Sequence, residues 1–100
     1  MIFWLLLLLG LRADAKPRMH TVEIRGMEFH PAVITVAVGD TVRWINQDIV
    51  PHTATASGRI TWDTGQLTQG QAGRFIGRAR GTARYACTLH PTMHGRVIIR

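Results

Sequence analysis

Cys87 is the only cysteine in this 100-residue chain, so no disulfide can close within it. The covalent staple common to small exported domains is therefore excluded. Acidic residues are also scarce, 6 against 12 Lys and Arg, which gives a net charge of +6. No window places apolar residues at i, i+3, i+4 and i+7 for more than a turn, so little or no helix is expected. The longest apolar run, "IFWLLLLLGL", is about ten residues, half of the ~20 that a bilayer span requires. Internal repeats and low-complexity tracts are absent.

That apolar run instead reads as the core of a signal peptide, followed by the small-x-small pattern Ala13-Asp14-Ala15 at which cleavage is expected. Residues 1–15 are thus expected to be a leader and 16–100 a single exported domain. No cysteine follows the run to carry a lipid anchor, and no second stretch is long enough to hold the chain in a membrane. Cleavage removes one base, Arg12, and one acid, Asp14, and leaves the charge at +6. A domain of this size buries roughly 60–65% of its unfolded surface, so its stability is marginal without a staple or a metal.

Strand signals dominate what remains. Val22 and Ile24 alternate with polar neighbours, "VITVAV" (33–38) and "VRWI" (42–45) flank Gly39-Asp40 and read as a hairpin, and "RVIIR" (96–100) reads as the last strand. Phe75 to Arg80 and Ala83 to Cys87 give two more around Gly81. Residues 61–73, with glycines at 65, 70 and 73, read as loop with short extended pieces. Seven or eight short strands with frequent turns predict an all-β Greek-key sandwich or barrel. Parity on the strand before Cys87 turns Ala83, Tyr85 and the thiol inward and Arg84 outward.

The chemistry concentrates in "YACTLHPTMH" (85–94). Pro91 ends the strand pattern and forces a tight loop, so Cys87, His90 and Met93, spaced by three, can converge on one point. A fourth donor has to come from elsewhere, and His52, in the Pro-ordered turn "VPHTAT", is the best candidate. Two imidazoles, a thiolate and a weak, long thioether bond suit copper in both of its oxidation states. Zinc also binds Cys and His, but a structural zinc site seldom recruits a thioether. A lone inward cysteine is more often a small buried hydrophobe, and Met93 alone would be core filler; it is the spacing that argues for a metal. His20, His30 and His94 show no paired spacing and read as surface histidines. Trp44 reads as core, and Asp40 and Asp63 as turn residues rather than a catalytic pair.

The order of these residues resembles the cupredoxin family, the small blue copper proteins. "MEFHPAVITVAVGDTVRWINQDIVPHTAT", "WDTGQLTQG" and "YACTLHPTM" resemble its successive motifs over about Thr21 to Ile99, and the metal loop most resembles the amicyanin branch, then the plastocyanin branch. The resemblance implies one type 1 copper ion, with His52, Cys87 and His90 as equatorial ligands and Met93 as the axial one. It also implies an electron port at His90, within an apolar patch for which Pro51, Pro91 and Met27 are candidates. Leu89 stands where that branch has proline. Its N–H could add a second hydrogen bond to the Cys87 sulfur beside one expected from Thr53, which would raise the potential above that of a Leu89→Pro variant.

These readings lead to an exported, periplasmic one-electron carrier that breaks no substrate bond and is not an enzyme. Multicopper catalysis needs further histidine clusters, and a binuclear copper centre needs a second cysteine. A copper storage or delivery module is the alternative. Partners would be redox proteins, a donor and an acceptor, with a monomeric carrier between them. Arg74, Arg78, Arg80 and Arg84 share parity and could form a basic face for an acidic partner, although a solvated sheet face is the plainer account. Nucleic acid is excluded as a partner by export and by the lack of aromatics among the bases.

Overall fold

Thr41 to Asn46 alternates strictly, with Val42, Trp44 and Asn46 buried and Thr41, Arg43 and Ile45 turned partly outward, the period-two signature of a strand with one face on a core. A computed structural model describes residues 16–100; the expected signal peptide, residues 1–15, lies outside them. Nine strands occur among the described residues: β1 Met19–Arg25, β2 Glu28–His30, β3 Val33–Val36, β4 Thr41–Asn46, β5 Thr55–Ser57, β6 Thr61–Asp63, β7 Ala72–Ile76, β8 Gly81–Ala86 and β9 His94–Ile99. The all-β expectation holds, and no helix is present among the described residues. The count exceeds seven or eight because β2, β5 and β6 are three residues long, too short to show alternation.

The strands form two sheets, one ordered β2-β1-β4-β7 and the other β3-β9-β8-β5-β6. Two pairings are parallel, β1 with β4 and β3 with β9, and each needs a chain that leaves one sheet and returns from the other. The expected hairpin across Gly39-Asp40 is therefore not formed: β3 pairs with β9 in the second sheet, while β4 pairs with β1 and β7 in the first. The Gly39-Asp40 turn is a corner between sheets, because its backbone groups bond outward: Val38 N–H to the Arg100 carbonyl at 3.1 Å and Gly39 N–H to the Gly77 carbonyl at 2.8 Å. Asp40 fixes the corner. Its carboxylate accepts the Arg18 N–H at 2.9 Å and the Ala37 N–H at 3.0 Å, and His20 Nε2 lies 2.8 Å from its Oδ2.

The expected basic face is split in the same way. Arg74 lies on β7 in the first sheet and Arg84 on β8 in the second, with Arg78 and Arg80 in the connection between them. Sequence parity cannot carry across a connection that changes sheets.

Between the sheets, Val22, Ile24, Val42 and Trp44 face Trp62, Tyr85, Val97 and Ile99. Trp62 stacks between Phe75 and Trp44, at centroid distances of 4.2 and 5.4 Å. Tyr85 meets Trp44 edge-on at 5.2 Å. Burial pushes the Tyr85 hydroxyl up to about 12, although the neighbouring Trp44 indole pulls slightly the other way. The phenol therefore stays neutral in the core. Among the described residues no helix is long and apolar enough to cross a membrane.

Candidate metal centre

β4 ends at Asn46, and its fully buried side chain organises the loop that follows. The Asn46 Nδ2 group donates to the Val50 and Leu67 carbonyls at 2.9 and 2.8 Å, while its Oδ1 accepts the Asp48 N–H at 2.9 Å. His52 and Leu67 then exchange backbone hydrogen bonds of 3.1 and 2.7 Å. His52 is thus pinned from both sides.

The orientation of its ring is set by Asp48, four residues earlier. Burial alone would raise the Asp48 carboxyl, but the Met27 and Gly26 N–H groups and His52 together hold it below its ordinary value. Those amides lie 3.0 and 2.8 Å away, and His52 Nε2 lies 2.9 Å from Asp48 Oδ2. An ionised carboxylate only accepts, so Nε2 carries the proton and Nδ1 keeps its lone pair for a metal. Asp48 and Asn46 were not singled out as functional from sequence; the available signal was an acid four positions before a histidine inside a turn.

Cys87 follows the last residue of β8, and its loop is closed by two backbone bonds, Cys87 N–H to the Met93 carbonyl at 3.1 Å and Met93 N–H to the His90 carbonyl at 2.9 Å. Thr53 ties this loop to the other one. Its N–H donates to Cys87 Sγ at 3.4 Å and its Oγ1 accepts the Thr88 N–H at 2.9 Å. The expected second donor, the Leu89 N–H, is not among the groups bonded to the sulfur: Thr53 N–H is the backbone donor there, and Leu89 is 41% exposed. With that bond absent, Leu89 supplies no reason for a raised potential.

Three of the four sequence candidates present their donor atoms to one another. Cys87 Sγ lies 3.8 Å from His52 Nδ1 and 3.7 Å from His90 Nδ1, and all three atoms lie within 4.8 Å. Bonds of about 2.0 Å to nitrogen and about 2.3 Å to sulfur, meeting near 120°, span such separations. The residues present therefore fit a single small ion. Met93, the fourth, is buried at the closure of the same loop. His52 and Cys87 are fully covered, whereas His90 is partly exposed. His20 and His30 are engaged elsewhere, with Asp40 and with the Arg25 carbonyl, and His94 is exposed on β9.

A two-sheet β-sandwich with one buried thiol facing two imidazole nitrogens at its end defines the class of small single-site copper proteins. The chain belongs to the copper-binding proteins of the plastocyanin/azurin family, whose model matches residues 18–100. It is 34% identical over 82 residues to the amicyanin of Paracoccus denitrificans, an alignment covering 78% of this chain and 63% of that relative, so it spans less than two thirds of that protein's length. A solved structure of a reduced amicyanin mutant superposes with a TM-score of 0.78 at 29% identity, covering 88% of each chain. A copper-containing nitrite reductase from Thermus scotoductus SA-01 also superposes, with a TM-score of 0.78 at 28% identity, covering 86% of this chain but 23% of that one. The cofactor of this protein is copper.

Proposed function

We propose that the protein is a periplasmic one-electron carrier in which His52, Cys87, His90 and Met93 would hold copper. Copper, when bound, supplies a reversible one-electron change between Cu(II) and Cu(I). The observation that carries the reading is the buried Cys87 sulfur set 3.8 and 3.7 Å from two imidazole nitrogens, one on a covered ring and one on a partly exposed ring.

Each residue has a part in that function. Asp48 and Leu67 hold His52 so that its lone pair needs no rearrangement, and Thr53 N–H takes up negative charge on the thiolate. The covered side of the site excludes water, while His90 gives an electron a short way out. The loops that carry the site, and the Gly26-Met27 turn bonded to Asp48, present apolar side chains: Ile49 is 85% exposed, with Val50, Leu89 and Met27 each above 40%. Apolar side chains at that exposure suit brief docking of a donor and then an acceptor.

A carrier rather than an enzyme is the reading that the family match over residues 18–100 supports. The test is a visible spectrum after Cu(II) loading. An intense blue thiolate-to-copper band that bleaches reversibly on reduction and is lost in Cys87→Ser is expected; a colourless protein would reject the site. Fast electron self-exchange supports the carrier, whereas slow exchange with ready copper release would point to storage or delivery.

A further inference from the structure

We propose that the outer face of the second sheet, centred on Arg84 and Arg96, is the docking surface for an acidic redox partner protein. The proposal rests on the carrier reading above and adds a partner chemistry and a place.

Arg84 on β8 and Arg96 on β9 are directly opposite each other in the antiparallel register, and both are exposed. Like charges so placed destabilise a sheet unless something neutralises them. Nothing in the described structure does. Among the described residues, the Arg–carboxylate ion pair is Arg25 with Glu23, in the first sheet. Asp40 is taken by Arg18, Ala37 and His20, and Asp48 by Gly26, Met27 and His52. Asp63, on the edge strand β6, accepts from Thr55 and Gly65. The first sheet has a comparable pair, Arg43 opposite Arg74, but Arg43 is half-buried, donates to Thr21 Oγ1 and shares its face with Glu23.

Open grooves flank the second-sheet pair on both sides. One, of about 590 Å³, adds Arg59 to Arg84 and Arg96; the other, of about 410 Å³, adds His94 and Val33. The face thus offers three guanidinium groups with accessible approaches, a match for carboxylates on a partner. It presents few large apolar side chains, with Val33 at its rim, and so lacks the insertion surface that a lipid bilayer would favour.

Its location joins it to the metal site. Ala86, small and partly exposed, pairs with His94 next to the arginine pair and precedes Cys87, about 3.8 Å away from Cα to Cα. Arg84 is three residues from Cys87, about 10 Å along the strand. A partner held by the arginines would rest over Ala86, one peptide unit from the thiolate and away from the apolar end at His90.

The experiment compares Arg84→Glu/Arg96→Glu with Arg74→Glu/Arg78→Glu, which changes the net charge equally at another place. With hexacyanoferrate(III) as an anionic oxidant of the reduced protein at low ionic strength, the first variant should slow by about tenfold and lose most of its salt dependence; the second should change less than about twofold. Arg84→Gln/Arg96→Gln should be intermediate. Titrating the Cu(I) protein with a decaglutamate peptide should shift the amide resonances of Arg84, Ala86, His94 and Arg96, and not in the first variant. Equal slowing in both Glu variants, peptide shifts spread over all the arginines, or binding to phosphatidylglycerol vesicles without peptide binding would overturn the proposal. A wild-type protein without a reversibly bleached blue band would count against the carrier reading instead, before any arginine is changed.

Discussion

Asp48 gathers two backbone amides and a histidine onto one carboxylate, so the Gly26-Met27 turn and the His52 ring stand or fall together. Asp48→Asn keeps the volume but replaces a charged acceptor with an amide that must compete for the same donors. Copper affinity is expected to fall by about 10-fold or more, read by competition with a chelator, with about 1–3 kcal/mol lost in denaturant unfolding of the apo form. Asp40 does the corresponding work at the other end of the sheets. The His20 side chain first, then the Arg18 and Ala37 amides, hold its carboxyl at about 2, below its ordinary 3.8. A depressed folded-state value contributes stability that is complete above the unfolded value and disappears as pH falls through the folded one. Stability should therefore drop between about pH 4 and pH 2, and Asp40→Asn should flatten that part of the curve. Asp40 is covered but lies at an edge of the fold, so screening keeps its contribution to about 1 kcal/mol.

Among the elements, the β8–β9 pair matters most to the site, because it ends at both Cys87 and Met93. Gly95 lies opposite Tyr85, and a Cβ there would overlap the phenol ring. Gly95→Ala must push Tyr85 out of its place against Trp44 and Phe29, and is expected to cost about 2–3 kcal/mol, measured by denaturant unfolding. Gly39 works by a different constraint: its φ of 96° is open to glycine but strained for alanine, so the corner needs it for backbone shape alone. Alternation was legible in the sequence for β1, β4 and β8, since each has one wet face. The corner was not. "VGDTV" suits a hairpin locally, and only the pairing of β3 with β9 and of β4 with β1 shows that the chain changes sheets there.

For the molecule as a whole, bound copper is expected to supply stability that no internal disulfide can. A ligand that binds only the folded state adds RT ln(1 + [L]/Kd), about 4 kcal/mol at a thousandfold excess over Kd, so the apo form should melt lower than the copper form in calorimetry; equal melting temperatures would count against a preorganised site. By itself the sequence determined the all-β class and the cluster of Cys87, His90 and Met93 on one loop, because alternation and a Pro-broken strand act over a few residues. It also pointed to His52 through a motif. Tertiary structure alone decided what that histidine bonds to, that the Leu89 amide stays off the sulfur while the expected Thr53 amide meets it, and which arginines share a face. Those depend on side chains brought together from different sheets and loops, and separations such as the 22 and 21 positions between Asp48 and the Gly26 and Met27 amides leave no local pattern to read.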